Sequence, residues 1–290
     1  MKLQTLLAIA VLSWLPTETA LTATVHSGKD KPAPAVSIII DDMGEQLTEN
    51  LRALRMRHAL TYSILPGTTY GRYLSQLAHD LGHETMLHLP MQSVKGLALG
   101  HGGLTDDMNR KQFADTFRRD LADVPYISGI NNHMGSLLTQ DRHYMRWLME
   151  EMLQAGNLYF VDSRTSAQSV AYSTAVSYAV PTMRRKVFLD NVVTTRAIRA
   201  QFQRLIAVAR RDGTAIAIGH PNEATLAVLE AELPRLPALG IKLLPVSELI
   251  EYRKQIDADP HWHLARSETA TVTSPINISA SSLVTHNVVP

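Results

Sequence analysis

The sequence predicts an α/β protein whose core is a distorted β/α barrel of seven or eight parallel strands in a single domain. Short apolar or β-branched runs alternate with amphipathic stretches, and polar side chains follow most of the strand candidates. Strands that alternate with helices imply a parallel sheet with helical crossovers. Seven or eight such units within about 220 residues favour a closed barrel over an open sheet.

The individual elements follow from the spacing of the apolar residues. Apolar and β-branched runs predict strands at 36–41, 59–65, 84–89, 127–131, 158–161, 186–189, 214–219 and 241–246. The stretches between them have helical spacing and predict helices that include 45–57, 70–81, 109–122, 141–155, 196–212 and 222–231. Helices and strands therefore alternate along the whole core.

Composition narrows the classes of function. The chain has 290 residues, 45% hydrophobic and 19% charged, which is typical of a soluble globular protein. Its formal net charge of +1 argues neither for nucleic acid nor for an acidic membrane surface as a partner. Cysteine is absent, so disulfides, thiolate zinc sites and thiol nucleophiles are excluded, and any metal must be held by His, Asp or Glu.

The N-terminus has the pattern of a secretory signal peptide. Lys2 supplies the positive start, residues 6–15 form an apolar run too short to span a bilayer, and small residues lead to Ala23. We expect cleavage after Ala23 and a periplasmic protein with no stable membrane span after cleavage. An uncleaved anchor is the alternative.

The rest of the chain divides by composition. Residues 24–35 contain two prolines and predict a linker, and residues 36–256 form the barrel domain. Residues 257–290 are rich in Ser, Thr, Val and Asn without helical or strand periodicity, which predicts a flexible tail.

Reactive side chains stand where the predicted strands end. These residues are Asp41, Asp42, His88, Asn131, Asn132, His133, Asp162, Arg164, Asp190 and His220. All strands of a parallel β/α barrel end on one face, and catalysis takes place there. The sequence therefore predicts that these acids, imidazoles and amides meet at one rim.

Asp42, His88 and His133 are the predicted ligands of a divalent metal ion, Zn²⁺. Two imidazoles and one carboxylate leave one position of a tetrahedral ion open for water. The metal lowers the pKa of that water and polarises a carbonyl oxygen.

Four further residues are predicted to be catalytic. Asp41 faces away from its neighbour and accepts the proton of the water, and His220 donates a proton to the leaving group. Asp190 orients His220, and Arg164 positions Asp41 or binds a substrate oxygen.

Asn132 and Asp162 are the predicted substrate ligands. Each site residue has a structural alternative, because an Asp after a strand often caps a turn and a His inside a strand is often hydrogen-bonded in the core. The sequence has no G-x-S-x-G elbow, P-loop or G-x-G-x-x-G after the first strand. A glycosidase with Asp162 or Asp190 as one of two carboxylates remains an alternative.

An ordered series of short motifs carries a family resemblance. The motifs are SIIIDDMG (37–44), YSILPG (62–67), GHETMLHLPM (82–91), INNHMGS (130–136), YFVDSRTS (159–166), FLDN (188–191), IAIGHP (216–221) and LLPVSELI (243–250). Together the chain resembles the divergent polysaccharide deacetylase family over roughly residues 36–251. The resemblance implies a barrel of seven or eight strands with a groove at the strand C-termini.

The resemblance also implies roles for particular residues. In the classical deacetylases the first motif carries a base and a metal ligand, which Asp41 and Asp42 match. The second motif carries two histidines four residues apart, of which His88 matches the first while Gln92 stands at the second. His133 is then the candidate for the third ligand.

The function implied by the resemblance is metal-dependent hydrolysis of carbon–nitrogen bonds that removes N-acetyl groups from an envelope glycan or peptidoglycan fragment. His220 resembles the classical catalytic histidine. Two alternatives stay open, a non-catalytic barrel that binds glycan or an envelope protein, which Gln92 motivates, and an amidase or esterase with the same water-activating chemistry.

Overall fold

Nine strands of the described residues, 32–259, form one parallel sheet in the computed structural model. They are β1 (Ala35–Met43), β2 (Thr61–Ile64), β3 (Glu84–Met91), β4 (Ile127–Met134), β5 (Tyr159–Asp162), β6 (Thr182–Arg184), β7 (Val187–Phe188), β8 (Thr214–Gly219) and β9 (Lys242–Leu243). Seven of these were predicted within a few residues, the eighth (β9) is shorter than predicted, and β6 was missed.

Eight α-helices of the described residues connect and cover the strands. They are α1 (Leu47–Leu54), α2 (Gly71–Asp80), α3 (Arg110–Asp123), α4 (Arg142–Ala155), α5 (Ala171–Ser177), α6 (Thr195–Asp212), α7 (Glu223–Glu232) and α8 (Val246–Ala258). Three short 3₁₀ turns lie at Leu138–Gln140, Leu233–Arg235 and Pro237–Leu239. The six helices named from the sequence correspond to α1–α4, α6 and α7, whereas α5 and α8 were not among them.

The sheet curls, and its two edge strands, β6 and β7, are consecutive in the sequence. The strand order is β6-β5-β4-β3-β2-β1-β8-β7, and β9 pairs with the start of β1. Two residues, Arg185 and Lys186, join the edge strands β6 and β7. The Arg185 amide donates to Asp162 O of β5 at 2.9 Å, and the Lys186 amide donates to Ile216 O of β8 at 2.9 Å. This junction, residues 184–186, is called the seam below.

The curled sheet separates two apolar layers. The larger layer lies between the outer face of the sheet and the helices. The smaller layer fills the interior and is closed at the strand N-termini by α8, whose Val246, Leu249 and Ile250 pack against Ile39 and Ile216. Because α8 closes one end and the interior is filled, only the end at the strand C-termini is available for a site.

The predicted α/β barrel class is confirmed, with the sheet curled into a barrel-like arrangement. Helix α8 continues to Ala258, two residues beyond the predicted domain boundary, and β1 already begins at Ala35 inside the predicted linker. The predicted signal peptide, most of the linker and the tail from residue 260 lie outside the described residues. Among the described helices, none is long and apolar enough to cross a membrane.

Candidate metal centre and active site

The pairing of β3 with β4 brings two histidines together at the strand C-termini. The parallel register sets His88 beside Asn131 and Pro90 beside His133. Side chains two residues apart on a strand share a face, so Asn131 and His133 both point to the side that His88 occupies. The rings of His88 and His133 meet edge to face with centroids 4.9 Å apart.

The end of β1 turns two adjacent carboxylates toward the same histidine. Asp42 has a φ of 56°, in the left-handed region that few residues other than glycine adopt, and the β1–β2 register shifts between Ile40 and Met43. His88 Nε2 is 3.6 Å from Asp41 Oδ2 and 3.1 Å from Asp42 Oδ1. The expectation that Asp41 faces away from its neighbour is therefore wrong, because the irregularity cancels the alternation of a regular strand.

The three predicted metal ligands form a compact triangle of donor atoms. Asp42 Oδ1 is 2.9 Å from His133 Nδ1 and 3.1 Å from His88 Nε2, and the two ring nitrogens are 3.2 Å apart. An ion about 2.0–2.1 Å from each donor separates them by about 3.3 Å in a tetrahedron and about 2.9 Å at right angles. The triangle fits a divalent ion of either geometry and does not select zinc.

Asp42 Oδ1 has the environment of a metal ligand. It is buried, and none of the described residues donates it a well-oriented hydrogen bond, although two ring nitrogens lie within 3.1 Å. Burial disfavours the Asp42 carboxylate, but His133 and His88 outweigh that effect and hold the pKa of Asp42 well below its usual value. For His88 burial acts in the opposite direction to Asp41 and Asp42, which raise its pKa above the usual value. The cluster thus favours positive charge at its centre.

Asn131, which was predicted to lie at the rim but was assigned no role, connects the candidate metal centre to Asp41. Its Nδ2 donates to Asp41 Oδ1 at 2.8 Å, so its Oδ1 is left to accept from Ser63 Oγ and His88 Nδ1, both at 2.7 Å. An amide oxygen only accepts, so His88 Nδ1 carries the proton and Nε2 offers its lone pair to the centre in neutral imidazole. One buried amide therefore selects the ligating tautomer of His88 and holds Asp41.

His220 and Asp190 form a second pair at the rim. Asp190 Oδ1 lies 3.0 Å from His220 Nδ1, while Asp190 Oδ2 accepts from the His220 amide at 2.7 Å and from Thr225 Oγ1 at 2.8 Å. His220 Nε2 points the other way, 3.6 Å from Asp42 Oδ2. Burial lowers the pKa of His220, but Asp190 and the two carboxylates of β1 raise it to about 9.

Arg164 and Arg185 both lie beside the end of β5. Arg164 is exposed, and its main chain, with φ at 50°, donates to Asp162 Oδ1. Arg185 Nε donates to Ser163 O at 2.6 Å and Nη2 donates to Arg164 O at 2.8 Å. Burial lowers the pKa of Arg185 against the pull of the Asp41 and Asp162 carboxylates, so its cation lies within electrostatic reach of Asp41.

The two predicted substrate ligands serve the main chain around β4 and β5. Asn132 is 1% exposed, accepts from the Ser163 amide at 2.9 Å and donates to Met134 O at 2.7 Å. Asp162 is 2% exposed and accepts from the Arg164 amide at 2.8 Å and from Ser169 Oγ at 2.8 Å. Their amide and carboxylate groups are already occupied, so the structure lends no support to a substrate-binding role.

The sequence as a whole matches a known family. Residues 38–250 match the divergent polysaccharide deacetylase family. The chain belongs to that family. It is 37% identical over 238 residues to the uncharacterized protein YibQ of Escherichia coli K12, an alignment that covers 82% of this chain and 72% of YibQ. It is also 35% identical over 269 residues to an uncharacterized Haemophilus influenzae protein, covering 93% of this chain and 94% of that protein.

A solved structure shares the fold of this member of the family. An uncharacterized protein from Agrobacterium tumefaciens C58 superposes with a TM-score of 0.72 and 24% identity, over 75% of this chain and 89% of that one. At that identity the likeness concerns the fold alone.

Gln92 is the residue that the family resemblance places at the second histidine position of the classical deacetylases. Its Oε1 accepts from the Asp106 amide at 2.7 Å, and its main-chain carbonyl accepts from the amides of Leu137 and Leu138. Gln92 therefore joins two loops through hydrogen bonds, and its side-chain oxygen is occupied by the Asp106 amide. The third donor comes from His133 on the next strand.

Proposed function

We propose that this protein is a metal-dependent hydrolase that removes N-acetyl groups from an envelope glycan, with Zn²⁺ as the metal. The convergence of Asp42, His88 and His133 at the open end of the barrel carries the proposal, because three chain positions far apart in sequence meet within 4.8 Å. Membership of the divergent deacetylase family supports an amide attached to a sugar as the bond that is cleaved.

Asp42, His88 and His133 would hold the ion. When bound, a divalent ion supplies Lewis-acid polarisation of the carbonyl and lowers the pKa of a coordinated water. Asn131 keeps the His88 lone pair directed at the centre through the 2.7 Å bond to Nδ1. The protein's own contribution is thus a preorganised donor set.

Asp41 is the proposed base. It is 3% exposed, is held by Asn131 Nδ2 at 2.8 Å and stands beside His88. In that position it takes the proton of the water that adds to the acetyl carbonyl.

His220 is the proposed acid. Asp190 fixes its ring through Nδ1 and leaves Nε2 directed into the site. Cleavage of the carbon–nitrogen bond releases acetate and an amine, and His220 supplies the proton that the departing nitrogen needs. Base and acid thus come from different strands, β1 and the end of β8.

The proposed location is the periplasm. The signal-like pattern of residues 1–23 supports export, and an exported deacetylase meets N-acetylated envelope glycans or peptidoglycan fragments as substrates.

Metal analysis combined with acetate release tests this function. Purified protein is expected to bind about one equivalent of Zn²⁺ and to release acetate from N-acetylglucosamine oligomers or peptidoglycan fragments. His88→Ala and His133→Ala should abolish both, whereas His143→Ala, on the exposed start of α4, should change neither. Stoichiometric metal without acetate release from any substrate would favour the alternative of a glycan-binding barrel, and absence of metal binding would overturn the site.

A further inference from the structure

A basic cavity lies beside the seam, away from the metal centre. It has a volume of about 460 Å³ and opens between the seam, α5 and α8. Arg184, Lys186, Arg253 and Lys254 line it, and Asp257 is the one carboxylate among the described residues that does so. The lining therefore carries more positive than negative charge.

The cations on α8 are largely occupied. Arg253 Nε is 2.8 Å from Asp257 Oδ2, and its Nη1 donates to Asp212 O at 2.9 Å, which caps the end of α6. Lys254 Nζ is 2.7 Å from Glu251 Oε1. These two residues have structural roles that account for their charge.

The cations on the seam are engaged more weakly. Arg184 stands over the ring of Tyr172 at 5.1 Å and forms no ion pair with a described residue. Lys186 Nζ is 3.8 Å from Asp212 Oδ2, and Asp212 Oδ1 is 2.8 Å from Arg211 Nε. Burial lowers the pKa of Lys186, and the neighbouring Arg184, Arg211 and Arg253 together add to this effect against the pull of Asp212. Lys186 is thus an exposed cation whose charged neighbours are three arginines and one carboxylate.

We propose that this cavity binds a tetrahedral oxyanion of the phosphate class through Arg184 and Lys186. A guanidinium and an ammonium on one wall supply charge-assisted hydrogen bonds to such an anion. The lining also includes Val176, Met183 and Ile250, and the volume is that of a small-molecule pocket. The walls can therefore receive the organic part of a phosphorylated sugar as well as the anion.

The proposed anion site and the metal centre share the seam. Arg184 and Lys186 line the outer cavity, whereas Arg185 between them reaches the loop after β5 and the field of Asp41. The anion site would also bridge the two edge strands, since Arg184 ends β6 and Lys186 precedes β7. Its existence does not depend on the hydrolytic function.

Calorimetric titration of the full-length protein at fixed ionic strength tests the proposal. The probes are inorganic phosphate and glucosamine 6-phosphate, with chloride as the background anion. Saturable binding of at least one phosphate probe is expected. An affinity at least tenfold higher for the sugar phosphate identifies an ester as the ligand, and equal affinities identify the free anion.

Single substitutions locate the site. Arg184→Gln and Lys186→Gln should each weaken phosphate binding at least tenfold, while Arg142→Gln, on the exposed start of α4, should leave it unchanged. Should one seam variant fail to fold by circular dichroism, the other decides. Heat that never saturates, or seam variants that bind like the wild type, would overturn the anion site and leave the proposed hydrolase untouched, because acetate release is not measured.

Discussion

Replacement of His133 by Ala removes one of three donors and should weaken Zn²⁺ binding about 10²–10³-fold. Four-ligand zinc sites contribute roughly 10–16 kcal/mol, or about 2.5–4 kcal/mol for each ligand. His133 Nδ1 lies 2.9 Å from Asp42 Oδ1 and its side chain is 18% exposed. The loss should therefore fall on the metal and much less on the free energy of unfolding.

The matched control is Gln92→Ala. Gln92 stands where the classical deacetylases have their second histidine, but its side chain accepts a hydrogen bond from the Asp106 amide instead. Its removal should leave Zn²⁺ affinity within about threefold of the wild type, at a cost in stability of about 1 kcal/mol for the lost hydrogen bond.

Competition with a chromophoric chelator at pH 7.5 measures both affinities, and urea unfolding of the metal-free proteins measures both stabilities. The reasoning is refuted if His133→Ala binds Zn²⁺ as tightly as the wild type, or if Gln92→Ala loses as much affinity as His133→Ala. Either result would mean that the third donor is not the one the β3–β4 pairing delivers.

Three other substitutions probe the surroundings of the centre. Asn131→Leu should weaken Zn²⁺ binding about 10–100-fold, because His88 Nδ1 loses its acceptor, and the same chelator competition measures it. Arg185→Ala should lower kcat for acetate release at least tenfold with metal content unchanged, because the positive charge near Asp41 is lost; equal losses of kcat and metal would contradict this role. Asp120 has a buried oxygen that accepts no hydrogen bond from the described residues, and burial raises its pKa to about 7. The folded state then keeps this proton to higher pH than the unfolded state, so its ionisation destabilises the fold as pH rises from about 4 to 7. Asp120→Asn should accordingly gain nothing at pH 4 and up to about 4 kcal/mol at pH 8 in urea unfolding, and a gain independent of pH would disprove the effect.

The fold class and the convergence of Asp42, His88 and His133 could be predicted because both depend on features that repeat along the chain. A parallel strand that ends in Asp or His places that side chain at one rim whatever the details of the loops. The alternation of side chains along β4 also predicts that Asn131 faces the site. Once His133 is taken to face the interior, Asn131 must face it too, and Asn132 must face the other side.

Other parts of the site depend on geometry that the residue pattern does not contain. Asp41 and Asp42 share a site because Asp42 adopts a positive φ, which the surrounding sequence does not predict. The curl of the sheet brings Arg185 to the loop after β5. In the run of Arg184, Arg185 and Lys186, the sequence does not show which side chain points that way. Helix α8 was missed because its residues resemble those of a peripheral helix, although it closes the barrel.

Helix α8 also contacts the segment before β1 and the end of α6. Tyr252 of α8 donates to Ala33 O at 2.7 Å, and Arg253 reaches Asp212 O at 2.9 Å, so both ends run beneath the strand N-termini. A surface linkage at residue 32 or residue 259 would therefore begin on the side remote from Asp42 and His133. A molecule tethered in this way presents its open mouth outward, toward a large or insoluble polymer.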